Sequence, residues 1–151
     1  MLEVVRTLAD EVDWVFFGMC PEMLRPYVKE FHKGVPMAQY PRKLASMNLD
    51  LALAPLEQNL FNDCKSNLRL LEYGACGYPV ICTETKAYAG YLPCTRVKRN
   101  EAEYWLEAIR MHLGDPHASY QQGDALREAV LSDYVLSRHH LQHWANAWLA
   151  D

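Results

Sequence analysis

The chain has 151 residues, half of them hydrophobic and 23% charged, with 15 Lys and Arg against 19 Asp and Glu for a formal net charge of −4. A chain of this length is ordinarily one domain and buries about two-thirds of the surface it would expose unfolded, so neither disulfides nor a metal are needed to hold a core. Disorder, collagen and small secreted scaffolds are excluded, and the acidic balance offers no basic footprint for nucleic acid.

In chain order, Leu2, Val5, Leu8, Ala9 and Val12 recur at helical spacing, with Arg6, Asp10 and Glu11 on the other side, and predict an amphipathic helix. Asp13 to Gly18 gathers aromatic and β-branched residues into a short run closed by glycine, the pattern of a buried strand. Pro21 and Pro26 punctuate a short helical or irregular stretch through Phe31. Val35 to Ala38 is a weaker second strand, and Pro41 opens a helix through Met47. Leu49 to Leu56 reads as the third strand, ended by Pro55, and Asn59 to Cys64 as a polar loop. A helix from Lys65 to Cys76 is closed by Gly77 and Pro79. Pro79 to Thr83 is an almost wholly apolar fourth strand and Thr95 to Val97 a marginal fifth. Three helices follow, over Ala102 to Leu113, Ala118 to Leu131 and Leu136 to Leu149.

Apolar strands alternating with helices predict an α/β fold: a doubly wound, Rossmann-like parallel sheet with helices on both faces and a helical C-terminal segment. Ligands of such sheets bind outside the carboxyl ends of the strands, which points to the loops after Phe17, Ala38, Pro55 and Thr83. Domains of this kind open with a strand, whereas a helix opens this chain. The expectation is that a first strand lies upstream and that residues 1–151 are a fragment of a longer protein. The five cysteines contain no C-x-x-C pair, which points to a reducing, cytoplasmic setting. No apolar run approaches the roughly 18–20 residues of a transmembrane segment.

The chain has no G-x-G dinucleotide fingerprint, no G-K-[ST] P-loop and no D-x-D pair to hold a metal on a sugar diphosphate. His139, His140 and His143 form H-H-x-x-H, but without an adjacent Glu or a third ligand they read as a solvated helix face. Trp144 and Trp148, at the same spacing, read as packing the last helix onto a neighbour. The informative stretch is Pro55 to Thr83. There a polar loop feeds a helix whose first turn carries Lys65 and Ser66. Unpaired amides, the helix dipole, an ammonium and a hydroxyl together favour an anion such as phosphate at that point. Glu72 returns to nearly the same face about 10 Å further along the axis, at about 1.5 Å per residue. That span matches a diphosphate at one end and a ribose at the other. A carboxylate only accepts hydrogen bonds and can hold two vicinal hydroxyls. Set among Leu68, Leu71 and Ala75, its charge requires a cleft or a partner. The alternative reading of the same residues is solvated surface charge, with Asp63 as a cap.

Four phrases in this order carry a resemblance: the apolar strand ending in Ala54-Pro55-Leu56, Lys65-Ser66 with Leu68, Glu72-Tyr73-Gly74-Ala75, and Gly77-Tyr78-Pro79-Val80-Ile81. Together they resemble the C-terminal, donor-binding domain of GT-B-fold glycosyltransferases of the group 1 superfamily, which are retaining enzymes. The resemblance implies that Glu72 is the second Glu of that family's E-x7-E motif and binds the ribose hydroxyls of the nucleotide. It implies that Lys65, Ser66 and Asn67 meet the diphosphate, and that Gln39 and Tyr40, after the second predicted strand, lie at the nucleobase site. The first Glu of the motif is replaced by Cys64, and Asn62 or Asp63 is the candidate substitute for its contact with the donor sugar.

The resemblance further implies one lobe of a two-lobed enzyme. Its ligand is a nucleotide-sugar donor, it uses no cofactor and no metal, and the acceptor belongs to an N-terminal domain of the same full-length protein. Helix dipole and basic side chains then stabilise the departing nucleoside diphosphate, and no catalytic residue is assigned. The alternatives are a nucleotide-sugar epimerase, which shares the fold, and a non-catalytic glycosyltransferase-like interaction module, which Cys64 favours.

Overall fold

Residues 1–149 are described by a computed structural model, the side chains of Arg138 and His139 excepted. Helix α1 (Leu2–Thr7) leads into strand β1 (Val15–Gly18), a 3-10 segment (Glu22–Tyr27) precedes β2 (Glu30–Lys33), and α2 (Tyr40–Ala45) precedes β3 (Ala52–Ala54). The short helix α3 (Leu60–Asp63) and α4 (Leu68–Ala75) follow, then β4 (Val80–Thr83) and β5 (Thr95–Val97). The chain ends in α5 (Ala102–Gly114), α6 (Pro116–Asp133) and α7 (Arg138–Trp148).

Every strand pairing is parallel, with Phe16 opposite Phe31, Leu53 opposite Ile81 and Cys82 opposite Arg96. Side chains alternate across each strand, and the two faces recruit different helices. Ala52, Ala54, Val80 and Cys82 pack with Leu44 of α2, Leu70 of α4, and Leu126 and Val130 of α6. Ile81 and Val97, with Leu51 and Leu53, pack on the other face with Val4 of α1, Leu8 just after it, and Trp105, Ala108 and Ile109 of α5. The expected α/β class, with a Rossmann-like parallel sheet covered on both faces, is the observed one. Central strand β4 is buried along its whole length, as a parallel strand covered on both faces should be.

The structure corrects several expectations, among them the polar loop read over Asn59 to Cys64, within which helix α3 forms. The second strand is Glu30–Lys33, and Val35–Ala38 is instead a connection ending in a 3-10 turn (Met37–Gln39). Pro36 has no N–H to give a ladder, whereas Phe31 packs with Cys20 and Leu24 and lies 3.8 Å beneath the Arg25 guanidinium. The sheet also comes in two sections, β1–β2 and β3–β4–β5. No pairing joins β1 to β3 among the described residues, and a cleft of about 1320 Å³ runs between them. Finally, Trp144 and Trp148 are 57% and 79% exposed rather than packed, because no neighbouring helix covers that face of α7 among the described residues.

Two glycines set the approach of α6 to the rest. A Cβ on Gly74 would meet Leu126 Cγ at 2.8 Å, and one on Gly123 would run into the Gly77 carbonyl and sit 2.9 Å from Pro79 N. Alanine at a helical glycine ordinarily stabilises by about 1 kcal/mol, but overpacking costs about 1–3 kcal/mol. The backbone beside Gly123 cannot swing away as a side chain could. Gly123→Ala should therefore lower the melting temperature by several degrees, at about 2–4 °C per kcal/mol for a chain of this size. A thermal melt showing stabilisation would contradict this packing.

His112 is buried between Thr95 Oγ1, 2.8 Å from Nε2, and Ser119 Oγ, 2.7 Å from Nδ1. Burial holds its imidazole below the ordinary value. The folded chain thus binds this proton less readily than the unfolded one, and stability is lost as pH falls from about 6.5 through the folded-state value. Urea unfolding at a series of pH values should show that fall in the parent and a shallower one in His112→Gln; identical slopes would exclude it.

Candidate functional site

Pro55 ends β3 at the carboxyl edge of the sheet, and the following loop is fastened there by side-chain amides and one hydroxyl. Thr83 Oγ1 accepts from the Leu56 amide at 2.9 Å and donates to Asn100 Oδ1 at 2.9 Å. The Asn100 amide group donates to the Leu56 carbonyl at 2.8 Å. Gln58 Nε2 donates to the carbonyls of Glu84 and Lys98, at 3.1 and 2.8 Å. Asn59 then caps α3 by accepting from the Asn62 amide at 2.9 Å, an ordinary role for Asn at a helix start. Asn62 itself is buried, and its Nδ2 donates to the Glu57 carbonyl at 2.8 Å. One of its two amide hydrogens is thereby engaged in holding the loop's shape. Asp63 Oδ1 accepts from the Lys86 amide at 3.2 Å.

The helix expected from Lys65 begins only at Leu68. Asn62 O accepts from the Lys65 amide at 3.1 Å, which closes the single turn of α3 with Cys64 as its last cap residue. Asn67 then starts α4 as its N-cap, without a side-chain capping bond. Lys65 and Ser66 are therefore exposed on the link between two helices, not on a first turn. The expected ladder from Lys65 to Glu72 along one helix face does not exist. Lys65 Nζ instead rests 4.9 Å from the centre of the Phe61 ring, and the exposed Cys64 thiol is free.

Glu72 does meet Tyr40, in a cluster that also contains Arg69. Glu72 Oε2 accepts from the Tyr40 hydroxyl at 3.0 Å and from Arg69 Nη1 at 3.0 Å, and that same Nη1 donates to the Tyr40 oxygen at 2.7 Å. The three groups close a triangle across the first turns of α2 and α4. The Tyr40 ring stacks on Phe17 at the end of β1, with centroids 5.3 Å apart and planes 11° from parallel. Burial pushes the Tyr40 phenol up to about 12; the Arg69 guanidinium opposes the rise and the hydrogen bond to Glu72 adds to it. Burial likewise raises Tyr73, beside Arg69. Phe17, Tyr40, Arg69 and Tyr73 line one end of the cleft between the sheet sections, whereas Gln39, Lys65, Ser66, Asn67 and Glu72 do not. Gln39 is exposed, immediately before the Tyr40 turn.

Sequence reasoning missed Arg69 and Phe17. Arg69 stands three residues before Glu72, a spacing that puts opposite charges side by side on a helix, so that signal was present. Phe17 gave none beyond its place at the end of a strand. Chemically, the carboxyl edge offers a cationic link at Lys65, the unpaired amides at the start of α4, and an acceptor at Glu72 oriented by Tyr40 and Arg69. Among the described residues no group of three or more His, Cys, Asp or Glu is arranged to hold a metal; the His139 side chain lies outside them. No described helix is long and apolar enough to cross a membrane.

The family model described as glycosyl transferase-like matches residues 1–150. Comparison with curated proteins gives no significant match.

Tyr40→Phe removes the hydroxyl shared by Arg69 and Glu72 and should cost about 0.5–1.5 kcal/mol in urea unfolding. The raised phenol value means that the folded chain holds this proton more tightly, so its contribution is intact below about pH 10 and is lost as pH rises towards 12. The difference in phenolate absorbance between parent and Tyr40→Phe should accordingly be nearly absent at pH 10, where an ordinary phenol is about half ionised; a difference of about half a phenolate there would rule out the triangle.

Proposed function

The chain belongs to the glycosyl transferase-like family, and we propose that it is the donor-binding half of a retaining glycosyltransferase. Such an enzyme moves a sugar from a nucleoside-diphosphate sugar to an acceptor held by a second lobe of the full-length protein. The observation that carries this reading is the convergence of Tyr40, Arg69 and Glu72 beside the start of α4, at the carboxyl end of a parallel sheet where such folds take ligands.

In this reading the diphosphate lies over Lys65, Ser66 and the amides following Asn67, where an ammonium and unpaired N–H groups oppose its charge. Glu72 holds the ribose hydroxyls. Only its Oε2 carries the bonds from Tyr40 and Arg69, and a carboxylate has further lone pairs to offer. Gln39 and Tyr40 flank the base; Phe17 already covers one face of the Tyr40 ring, so a base would take the other. As the glycosidic bond breaks, negative charge grows on the departing diphosphate, and cationic groups and amides fixed in advance lower the barrier most where charge develops. The acceptor hydroxyl and any group that takes its proton belong to the other lobe.

A second reading, a glycosyltransferase-like module that does not catalyse, is favoured by Cys64 at the position of the motif's first Glu and by the engagement of Asn62 within its own loop. Calorimetry with UDP-, GDP-, ADP- and dTDP-glucose separates the two. One donor should bind. Lys65→Ala and Glu72→Ala should each weaken it by roughly 10- to 100-fold, the loss of a charge-assisted hydrogen bond at about 1.5–3 kcal/mol. No heat from any donor at millimolar concentration would remove the donor-site reading.

A further inference from the structure

Cys82 and Cys94 are the one pair of cysteines in contact among the described residues, with Sγ atoms 3.7 Å apart. The parallel ladder brings them together. β4 and β5 run side by side with Ile81 opposite Thr95 and Cys82 opposite Arg96, and both cysteines pack into the core on the face of Ala52 and Ala54. Their surroundings differ. Cys82 lies within a strand buried along its whole length, whereas Cys94 is half-buried and stands between Pro93 and the first residue of β5, outside the ladder.

The two thiols are also chemically unequal. The hydrogen bond from Cys82 holds the Cys94 thiol below its ordinary value against the opposing effect of burial, and the Arg96 guanidinium adds to the lowering. The same hydrogen bond, with burial, pushes the Cys82 thiol up. Thiolate character therefore falls on the sulfur nearer solvent, the condition for a reactive cysteine with a second thiol beside it. A disulfide needs sulfurs about 2.05 Å apart, so the pair must close from 3.7 Å. Cys94 is the side that can move, since no strand pairing fixes it. The connection before it is gathered around Arg96, whose Nε donates to the Tyr88 carbonyl at 3.1 Å and whose Nη2 donates to those of Gly90 and Leu92 at 3.1 and 3.3 Å.

We propose that Cys82 and Cys94 are a redox-modification site, a dithiol that hydrogen peroxide converts to an intramolecular disulfide closing the β4–β5 connection into a ring. The Cys94 thiolate attacks one peroxide oxygen and the O–O bond breaks, which leaves a sulfenic acid on Cys94 and, once the departing hydroxide is protonated, one water. The Cys82 sulfur then displaces the sulfenic hydroxyl. The S–S bond forms as the S–O bond breaks, and the hydroxide leaves as a second water with the Cys82 proton. Two thiols are thus oxidised by two electrons while one peroxide is reduced, and a small dithiol reverses the step by exchange. The ring braces the segment whose Lys86 amide is bound by Asp63, at the end of α3, so the modification reaches the edge of the candidate site.

The test treats the reduced, dilute chain with a small excess of hydrogen peroxide under native conditions, blocks the remaining thiols and digests with trypsin. Cleavage after Arg69, Lys86 and Arg96 places Cys82 in peptide 70–86 and Cys94 in peptide 87–96. The two should appear joined and lighter by two hydrogen atoms than their sum, and dithiothreitol should separate them. Peptide 70–86 also holds Cys76, so fragmentation of the joined species should place the bond at Cys82, and the link should persist in Cys76→Ser. In the oxidised chain, amide exchange across residues 84–93 should slow by about tenfold or more. Absence of the link, accumulation of Cys94 as sulfinic acid, a bond placed at Cys76, or a link found only between chains would each overturn the proposal.

Discussion

Thr83 ends the most deeply buried strand with a hydroxyl that has no access to solvent, and a polar group in that position must be paired. It accepts from the Leu56 amide and donates to Asn100, which returns a bond to the Leu56 carbonyl. The indole of Trp105, buried on the α5 face, donates to the same Asn100 oxygen at 3.2 Å. One side chain thereby links the core beneath the sheet to the loop above it. The path from Pro55 through α3 to Lys65 takes its course from that attachment, and the start of α4 inherits its position in turn. Without the clamp at Thr83, the loop carrying the cationic link would be held to the sheet by the packing of Leu56 and by exposed hydrogen bonds alone.

The candidate site is built on the reverse principle. Arg69 and Glu72 are close because helix periodicity makes them so, and the pair by itself is a partly exposed ion pair of small worth. Tyr40 changes its character. Anchored by the stack on Phe17 and the start of α2, its hydroxyl accepts from one partner and donates to the other, while its ring lies on Phe17 of β1, so that it ties β1 to α4. The cluster is a local arrangement on α4 made precise by a long-range contact.

The parts of the fold legible in the sequence were those written in apolar periodicity. β4, α5 and the parallel α/β class follow from runs of buried residues and from Gly77 and Pro79 after α4, whereas β5, with only Val97 buried, was marginal. β2 was missed because Glu30-Phe31-His32-Lys33 reads as polar, and only its pairing with β1 makes it a strand. The start of α4 was placed too early because Lys65 and Ser66 are compatible with a helix, while the turn at Asn62 that diverts them is fixed by a hydrogen bond to the loop rather than by propensity. In the site, Glu72 and Tyr40 were both singled out, but their direct contact was not, since nothing in the local sequence encodes the meeting of residues so far apart. The break between β1 and β3 was likewise invisible, because absence of pairing leaves no mark on either strand.

Helix α1 has a consequence for cooperativity. Val4 and Leu8 belong to the core under β4 and β5, while the intervening Val5 belongs with Cys20 and Leu24 under β1 and β2. A two-stranded sheet is marginal in water on its own, so the β1–β2 section has its stability lent to it through this helix, Trp14 and the Phe17–Tyr40 stack. Local unfolding free energy should be graded across the molecule, lowest in β1–β2 and highest in β4, with α1, which packs into both cores, raising the weaker section towards the stronger.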